Sequence, residues 1–511
     1  MLNQLEISTL PIVYLILLGI SVLNSLIILN PKTPLHLVRI HVGFLAFPPL
    51  LAFIALILNH ERIVIGPMYF NSLSWLLAFF VLTIGFIVQR FCVHYLLGDT
   101  AYRKYFTLLT ITTSAASIAW MSNDLRLLLV GWGATLLGLT LLIGLKKEWV
   151  VARNATKVCG RLFALSWGVL FIAIIWLAQA TNEWQLSDAL KTNSLAKLDG
   201  WETTIINLLL ILAIVIPAAQ WPFQRWLLDS VVAPTPISAI MHAGIVNAGG
   251  IILTLFAPLF EAHFVQMLLL IFSSISVLIG TGIMFVQVDY KRQLVGSTIA
   301  QMGFMFIQCA LGAYLAAIIH AMLHGFFKST LFLQSGSVFQ QKADNFYMKV
   351  PVSRFWIIAG GIVGLLAGVA FWLTSHGEAY QLVSAFILGW SVALAWVQLV
   401  ATGLGRNGRI AGFLFFIGGA IVYFIIQYFL HSVLSGTIST GIQSPTIVSI
   451  LIILMFLLVS MFGFWSTRHR LSKLKAILYL WLVRLGEPQN KVIESHPTYL
   501  TKLFSHGGKI H

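Results

Sequence analysis

Apolar runs near or above the roughly 20 residues a helix needs to cross a bilayer recur along almost the whole chain. Nothing constrains the fold more, because so many such runs cannot all be buried in one water-soluble core. Only 9% of the 511 residues are charged and mean hydropathy is +0.92, against roughly 25% charged content in soluble domains. The pattern predicts an all-α integral membrane protein with about fifteen transmembrane helices. The spans are 9–29, 38–59, 71–97, 104–121, 124–145, 159–180, 203–230 (broken), 236–258, 264–288, 293–312, 314–338, 355–375, 379–403, 410–431 and 446–464. A barrel would alternate polar and apolar residues instead. The first span starts at Thr9 with no basic region ahead of it and no small-residue cleavage site after it, so it is expected to be retained and not removed as a signal peptide. Cys92, Cys159 and Cys309 are scattered in or beside apolar spans and read as small buried hydrophobes.

The formal net charge of +15 might suggest nucleic acid, but its distribution points to a membrane. With loops numbered by the helix they follow, only Arg62, Arg126, Lys191 and Lys197 lie after even-numbered helices, and Lys328 lies within a span. Every other Lys and Arg follows an odd-numbered helix or belongs to the C-terminal tail. The positive-inside rule then puts the N-terminus outside and the tail in the cytoplasm.

A charge held in hydrocarbon costs at least roughly 2.5 to 3.5 kcal/mol, so a residue that keeps one there is a functional candidate. All 16 acids map to loops, helix ends or termini. The polar exceptions are His242, His320, His324 and Lys328. The last three are spaced i, i+4, i+8, each about 40° around the helix from the next, over roughly 12 Å of rise. Imidazoles titrate near neutral pH and a desolvated lysine can be driven toward it, so this stripe can pass a proton stepwise if water fills its gaps. The bland alternative is neutral, hydrogen-bonded histidines with Lys328 neutralising a helix C-terminus. A metal site is disfavoured because Lys328 would repel a cation and no carboxylate or cysteine is near.

A second signal is Ile216-Pro217-Ala218-Ala219-Gln220-Trp221-Pro222 through Asp229. Two prolines five residues apart remove amide donors and break a helix inside a membrane-length span. Freed backbone at that depth is tolerated only where protein or water satisfies it. Pro234 and Pro236 then restart the chain into the span that carries His242.

Ala219-Gln220-Trp221-Pro222 through Trp226, with Pro234-Thr235-Pro236-Ile237-Ser238-Ala239 and His242-Ala243, resembles the signature of antiporter-like subunits of respiratory complex I and of Mrp cation/proton antiporters. Asp289-Tyr290-Lys291-Arg292, Ser297-Thr298, Gln301-Met302-Gly303 and His320 through His324 to Lys328 match its second half. The likeness covers roughly residues 70 to 375 and is nearest the chain-L-type subunit. It implies two inverted five-helix repeats with broken helices and a polar axis along the membrane midplane. It also implies a proton path through His242, His320, His324 and Lys328, with a broken helix at Pro217, Gln220 and Pro222. Two family positions are lost: Gly133 stands where a glutamate is expected, and Pro217 where the broken-helix lysine is expected. His376 and Arg161 are possible secondary positions.

The expected organisation is N-terminal helices over 1–103, a first antiporter-like repeat over 104–260, a second over 261–405, C-terminal helices over 406–465 and a basic amphipathic cytoplasmic tail over 466–511. In that tail, Arg468 to Arg484 carries Leu471, Leu474, Ile477, Leu478 and Trp481 at helical spacing, as expected of a helix on the inner leaflet or one docking a partner. The chain is shorter than chain-L subunits with their lateral helix. In this it is similar to the DabB family of inorganic carbon transporter membrane subunits. That resemblance implies an ion-translocating subunit of the bacterial inner membrane. It would couple a cation gradient, most simply of protons, to CO2/bicarbonate uptake. The partner would be a DabA-like cytoplasmic protein that carries the zinc, with no cofactor in this chain. The alternatives are a subunit of a respiratory NADH-quinone oxidoreductase or Mrp-type antiporter, and a non-conducting anchor for a soluble enzyme. With no nucleophile–base pair or phosphate loop, the chain is not expected to be an enzyme; it is expected to contact lipid and a protein partner and no nucleic acid.

Overall fold

A computed structural model describes residues 2–58, 62–260, 263–337, 354–374, 379–401, 405–434, 436–438, 446–468 and 473–487. The chain opens with α1 (Leu2–Leu29), α2 (His36–Phe44) and α3 (Phe47–Leu58), a short hairpin of β1 (Ile63–Ile65) and β2 (Met68–Phe70), and α4 (Ser72–Tyr95). Next come α5 (Tyr102–Trp120), α6 (Leu125–Ile143), α7 (Val150–Thr181), the one-turn α8 (Leu186–Ala189) and α9 (Thr192–Leu195), and α10 (Gly200–Val215). The centre holds α11 (Arg225–Asp229), α12 (Thr235–Ala243), α13 (Ala248–Leu255), α14 (His263–Val286), α15 (Tyr290–Ala310) and α16 (Tyr314–Ser337). The chain closes with α17 (Arg354–Thr374), α18 (Ala379–Trp396), α19 (Gly405–Leu434), α20 (Thr446–Arg468) and α21 (Lys473–Gly486).

Among the described residues, 10 helical spans are long and apolar enough to cross a membrane. This makes the chain a multi-pass, mostly helical membrane protein. The helices α5, α10 and α15 fall outside that set for identifiable reasons: α5 is rich in threonine and serine, α15 carries glutamines and hydroxyls, and α10 is cut short by Pro217. Burial separates the centre from the rim. The span Thr235–Leu255 is 94% buried inside the bundle, whereas Asn407–Leu434 is 6% buried and presents Phe415, Phe424 and Tyr428 outward. An apolar surface of this kind is stable only against lipid or another protein.

The two faces suggested by charge are also distinct in space. On the basic side, Lys146 from the α6–α7 loop pairs with Asp99 from the α4–α5 loop at 3.2 Å. On the other, the hairpin, the α5–α6 turn and the loop after α7 are stitched together by backbone. The Asn123 amide donates to Pro67 O at 2.8 Å, that of Leu125 to Trp184 O at 3.0 Å, and that of Leu186 to Asn123 O at 2.6 Å.

Among the described residues the expected span 38–59 divides into α2 and α3 at Leu45 and Ala46, and two breaks lie at the centre of the bundle. The first break separates α10 from α11, as the prolines predict; the Trp221–Pro222 peptide is cis and Ala219 is left-handed at φ 52°. The second corrects the expectation of one continuous helix over 236–258. Helix α12 stops at Gly244, a 3-10 turn spans Ile245–Asn247, and α13 begins at Ala248. The segment stays apolar through this break, so only Gly244 and Asn247 mark it.

The amphipathic segment after α20 forms α21 and docks on the chain itself. Leu482 fills the space beside Gly282 of α14, and Gly486 abuts Gln287, leaving Ile477, Leu480 and Trp481 exposed.

Helices α14 and α15 approach through glycines: a Cβ at Gly280 would lie 2.5 Å from the Ala300 nitrogen, and one at Gly296 would lie 2.6 Å from that of Met284. Backbone cannot yield there, so Gly280→Leu is expected to destabilise the protein by about 1 to 3 kcal/mol, read as a lower unfolding temperature in detergent. An unchanged transition would mean that the two helices are free to separate.

Candidate functional site

Helix α16 carries His320, His324 and Lys328 on one stripe, facing α15 and the interrupted α12–α13 pair. Gly325 permits the close approach, since a Cβ there would lie 2.8 Å from Ala243 O. Lys328 is 1% exposed, and its ammonium donates to Leu294 O at 3.0 Å and to Ser297 Oγ at 2.8 Å, both on α15. Among the described residues no carboxylate pairs with it. The cation is therefore held by neutral oxygens alone, a costly arrangement that structure retains only where it serves some purpose.

His242, on the last turn of α12, is 1% exposed and joins the same face of α15 through Nδ1 and Thr298 Oγ1 at 3.0 Å. The Thr298 hydroxyl donates to Leu294 O at 2.9 Å. With its proton so committed, Thr298 can only accept from His242, which places a hydrogen on Nδ1. Phe332, one turn beyond Lys328, stacks on the His242 ring at 4.2 Å between centroids and 16° between planes. Its face fixes the ring's orientation.

His324 is 6% exposed and bonds through Nδ1 to Asn247 Oδ1 at 3.2 Å. The Asn247 side-chain amide donates to Ala243 O at 2.6 Å, one of the carbonyls left free where α12 stops. This fixes the amide's orientation, makes Oδ1 the acceptor and puts the His324 hydrogen on Nδ1. His324 Nε2 then presents a lone pair into the interior with no hydrogen-bond partner among the described residues. A buried, unpaired base is either a water site or a proton acceptor.

His320, the least enclosed rung, lies between two glutamines of α15, with Nε2 3.0 Å from Gln301 Oε1 and Nδ1 3.2 Å from Gln308 Oε1. Both oxygens are satisfied at once only by an imidazolium; a neutral ring needs one amide turned over. The pair can thus follow either charge state. The His320 and His324 rings are 6.3 Å apart between centroids, and no hydrogen bond joins them directly. Proton passage between them therefore needs a bridging water.

The first break is satisfied differently. Trp226 Nε1 donates to Ile216 O at 2.7 Å, and Gln220 Nε2 donates to Ala218 O at 3.0 Å and to Ile299 O of α15 at 3.2 Å. Pro217 and Pro222 thus shape the backbone, and Gln220 ties it to the helix that holds the ladder. Residues 216–224, between the two helices, include no titratable side chain, and Arg225 and the buried Asp229 follow on α11.

The structure therefore brings His242, His320, His324 and Lys328 around α15. It leaves Arg161 exposed on α7 and outside their hydrogen bonds; His376 lies outside the described residues. Asn247, Ser297, Thr298, Gln301 and Gln308 are partners that sequence reasoning did not assign. The spacing of 297, 301 and 308 along one face of α15 was the available signal.

Gly133 differs from a simple loss. A Cβ there would lie 2.6 Å from Trp167 Nε1, and that indole donates to Leu129 O at 2.9 Å. The space an acidic side chain would need is occupied by tryptophan. Gly133→Glu is accordingly expected to cost about 2 kcal/mol or more, with most of it recovered when Trp167→Ala is added, measured by thermal unfolding. A single variant as stable as the parent would show that the indole moves aside freely.

Residues 122–408 match the family described as NADH:quinone oxidoreductase/Mrp antiporter, transmembrane. The chain is 55% identical over 505 residues to the Bacillus subtilis (strain 168) protein named "Probable inorganic carbon transporter subunit DabB", covering 99% of this chain and 100% of that one. It is 54% identical over 510 residues to a Bacillus anthracis protein of the same name, again covering 99% and 100%. Its fold is similar to a chain in the structure of the Mrp complex from Dietzia sp. DQ12-45-1b, with TM-score 0.63 and 20% identity over 98% of this chain. It spans 62% of that longer chain.

Proposed function

This chain belongs to the NADH:quinone oxidoreductase/Mrp antiporter transmembrane family, as a membrane subunit of an inorganic carbon transporter or a related complex, and from that premise we propose that it is the proton-conducting element that energises carbon uptake. The observation that carries the proposal is the buried ladder: Lys328 held without a counter-ion among the described residues, His242 linked to it through the Thr298 hydroxyl and the Leu294 carbonyl that both share, and His324 with an Nε2 unpaired among those residues. Each rung is bonded to a neutral hydroxyl, carbonyl or amide. A proton can therefore be taken up and released there without first breaking an ion pair, which would hold it in place.

The path runs through the second of two inverted repeats, 261–405, joined to the first by His242. The first repeat, 104–260, lacks an acid at Gly133 and a lysine at Pro217, and it serves as scaffold. About fifteen spans, with the basic loops and the tail in the cytoplasm and the N-terminus outside the inner membrane, complete the topology. One proton crossing 100 mV releases roughly 2.3 kcal/mol, enough for about a 50-fold concentration ratio.

The chemistry of hydration belongs to a cytoplasmic DabA-like partner that carries the zinc. This chain's own residues supply the coupled proton movement. Inward movement of a proton along the ladder, down its gradient, is coupled to the partner's reaction, CO2 + H2O ⇌ HCO3⁻ + H⁺, and supplies the free energy that holds it on the bicarbonate side. Na⁺ is not the favoured coupling ion, because the ladder's oxygens already accept from Lys328 and the histidines and no carboxylate among the described residues pairs with the ladder to balance a second cation.

In vesicles holding this chain with its partner, Lys328→Ala is expected to abolish gradient-driven bicarbonate accumulation while the complex still co-purifies. A Lys328→Ala complex that accumulates bicarbonate normally overturns the proposal. Separately, a protonophore is expected to stop accumulation while replacing Na⁺ by choline leaves it unchanged, as followed with labelled bicarbonate; the reverse pattern assigns the gradient to Na⁺.

A further inference from the structure

We propose that a cavity on the basic face of the bundle binds a small oxyanion of the bicarbonate or carbonate class beside Lys291. The cavity encloses about 540 Å³ and its lining includes Tyr95, Asp99, Lys146, Trp149, Pro234 and Lys291. These residues come from the end of α4 and the loop after it, the α6–α7 and α11–α12 connections and the first turn of α15, so the site exists only when the bundle is assembled.

Its charges are unevenly matched. The Asp99 carboxylate is already satisfied: Oδ2 meets Lys146 Nζ at 3.2 Å and Oδ1 accepts from the Ala101 amide at 2.9 Å. Asp289, the nearest acid in sequence to Lys291, caps α15 by accepting from the Arg292 amide at 2.9 Å. Lys291 is half-buried and lines the cavity, with no hydrogen bond or ion pair among the described residues. A partly desolvated ammonium in a concave, net-positive recess draws in a counter-ion. A planar oxyanion suits it better than a halide, because its several acceptor oxygens can engage Lys291 and Lys146 together with polar groups on the wall. The volume admits such an ion with part of its hydration shell.

The position gives the site its meaning. Leu294 and Ser297, the two acceptors of the Lys328 ammonium, follow Lys291 on α15 by one and two turns. Tyr95, on the opposite wall, donates its hydroxyl to Thr235 Oγ1 at 3.2 Å, at the start of the helix that carries His242. An anion at Lys291 therefore sits about 9 Å of helical rise from the ladder's buried cation. Negative charge there favours the protonated ladder, and by linkage a protonated ladder favours the anion. The site would let the bicarbonate level bias proton occupancy. That consequence rests on reading the ladder as a proton path; the binding itself does not.

The test uses the full chain in nanodiscs, without partner or gradient, titrated with ¹³C-bicarbonate at fixed pH and ionic strength and followed by NMR line broadening. Saturable binding is expected, displaced by unlabelled bicarbonate and far less by chloride. Lys291→Gln is expected to weaken it by about tenfold or more, while Lys291→Arg restores it. Thermal unfolding of each variant confirms that it is folded. Unchanged binding by Lys291→Gln overturns the proposal, as does equal displacement by chloride, which would mean only a general anion site. Absence of bicarbonate binding, together with a Lys291→Gln chain that no longer assembles with its partner, would also overturn it and assign the cavity to an acidic side chain of that partner. Since no flux is measured, failure here leaves the transport reading standing. Conversely, a complex that binds bicarbonate normally yet transports with Lys328→Ala refutes the transport reading alone.

Discussion

Backbone groups released inside a membrane protein have no water to turn to, and this single requirement organises the centre of the structure. Where α12 ends at Gly244, the Ala243 carbonyl is taken by Asn247 Nδ2. The other end of that amide then holds His324 Nδ1. Mending the helix break and orienting the histidine are thus one interaction seen from two sides. At the first break the same demand is met by Trp226 and Gln220, and Gln220 reaches across to Ile299 of the helix lined with ladder partners.

The two sides of the bundle have different interiors. Around Gly133 the space is filled by the Trp167 indole, hydrogen-bonded to the Leu129 carbonyl. Around α15 it is polar, populated by hydroxyls and carboxamides that can each reverse their hydrogen-bonding sense. Rigid packing in one half and reversible polar contacts in the other are complementary.

Much of the frame could be read without coordinates. Desolvation sets helix limits strongly, so the spans 71–97, 104–121 and 124–145 match α4 (Ser72–Tyr95), α5 (Tyr102–Trp120) and α6 (Leu125–Ile143) to within two residues at every end. The i, i+4, i+8 stripe on α16 was legible because periodicity is a property of one helix. Its partners were not, because which helix faces the stripe depends on packing: Thr298 and Asn247 are unremarkable in the sequence and decisive in space. The Gly244 break went unread for a similar reason. It lacks a proline, its flanks stay apolar, and only the neighbouring helix shows that α12 must stop there. The amphipathic segment was recognised as a surface helix, but its seat against Gly282 could not be guessed from its own composition.

One carbonyl joins two of these features. Leu294 O accepts both from the Lys328 ammonium and from the Thr298 hydroxyl, which in turn sets the hydrogen on His242. The lysine and the histidine are therefore wired to a shared terminal. If the ammonium loses its proton or swings away, nothing obliges the threonine to keep pointing at that oxygen. It can turn and offer its hydrogen to His242 Nδ1 once the ring has released its Nδ1 proton and taken one up at Nε2 by exchange with water. The Thr298–His242 bond then reverses its polarity, so that the state of a buried ammonium is written into the tautomer of a histidine it does not touch.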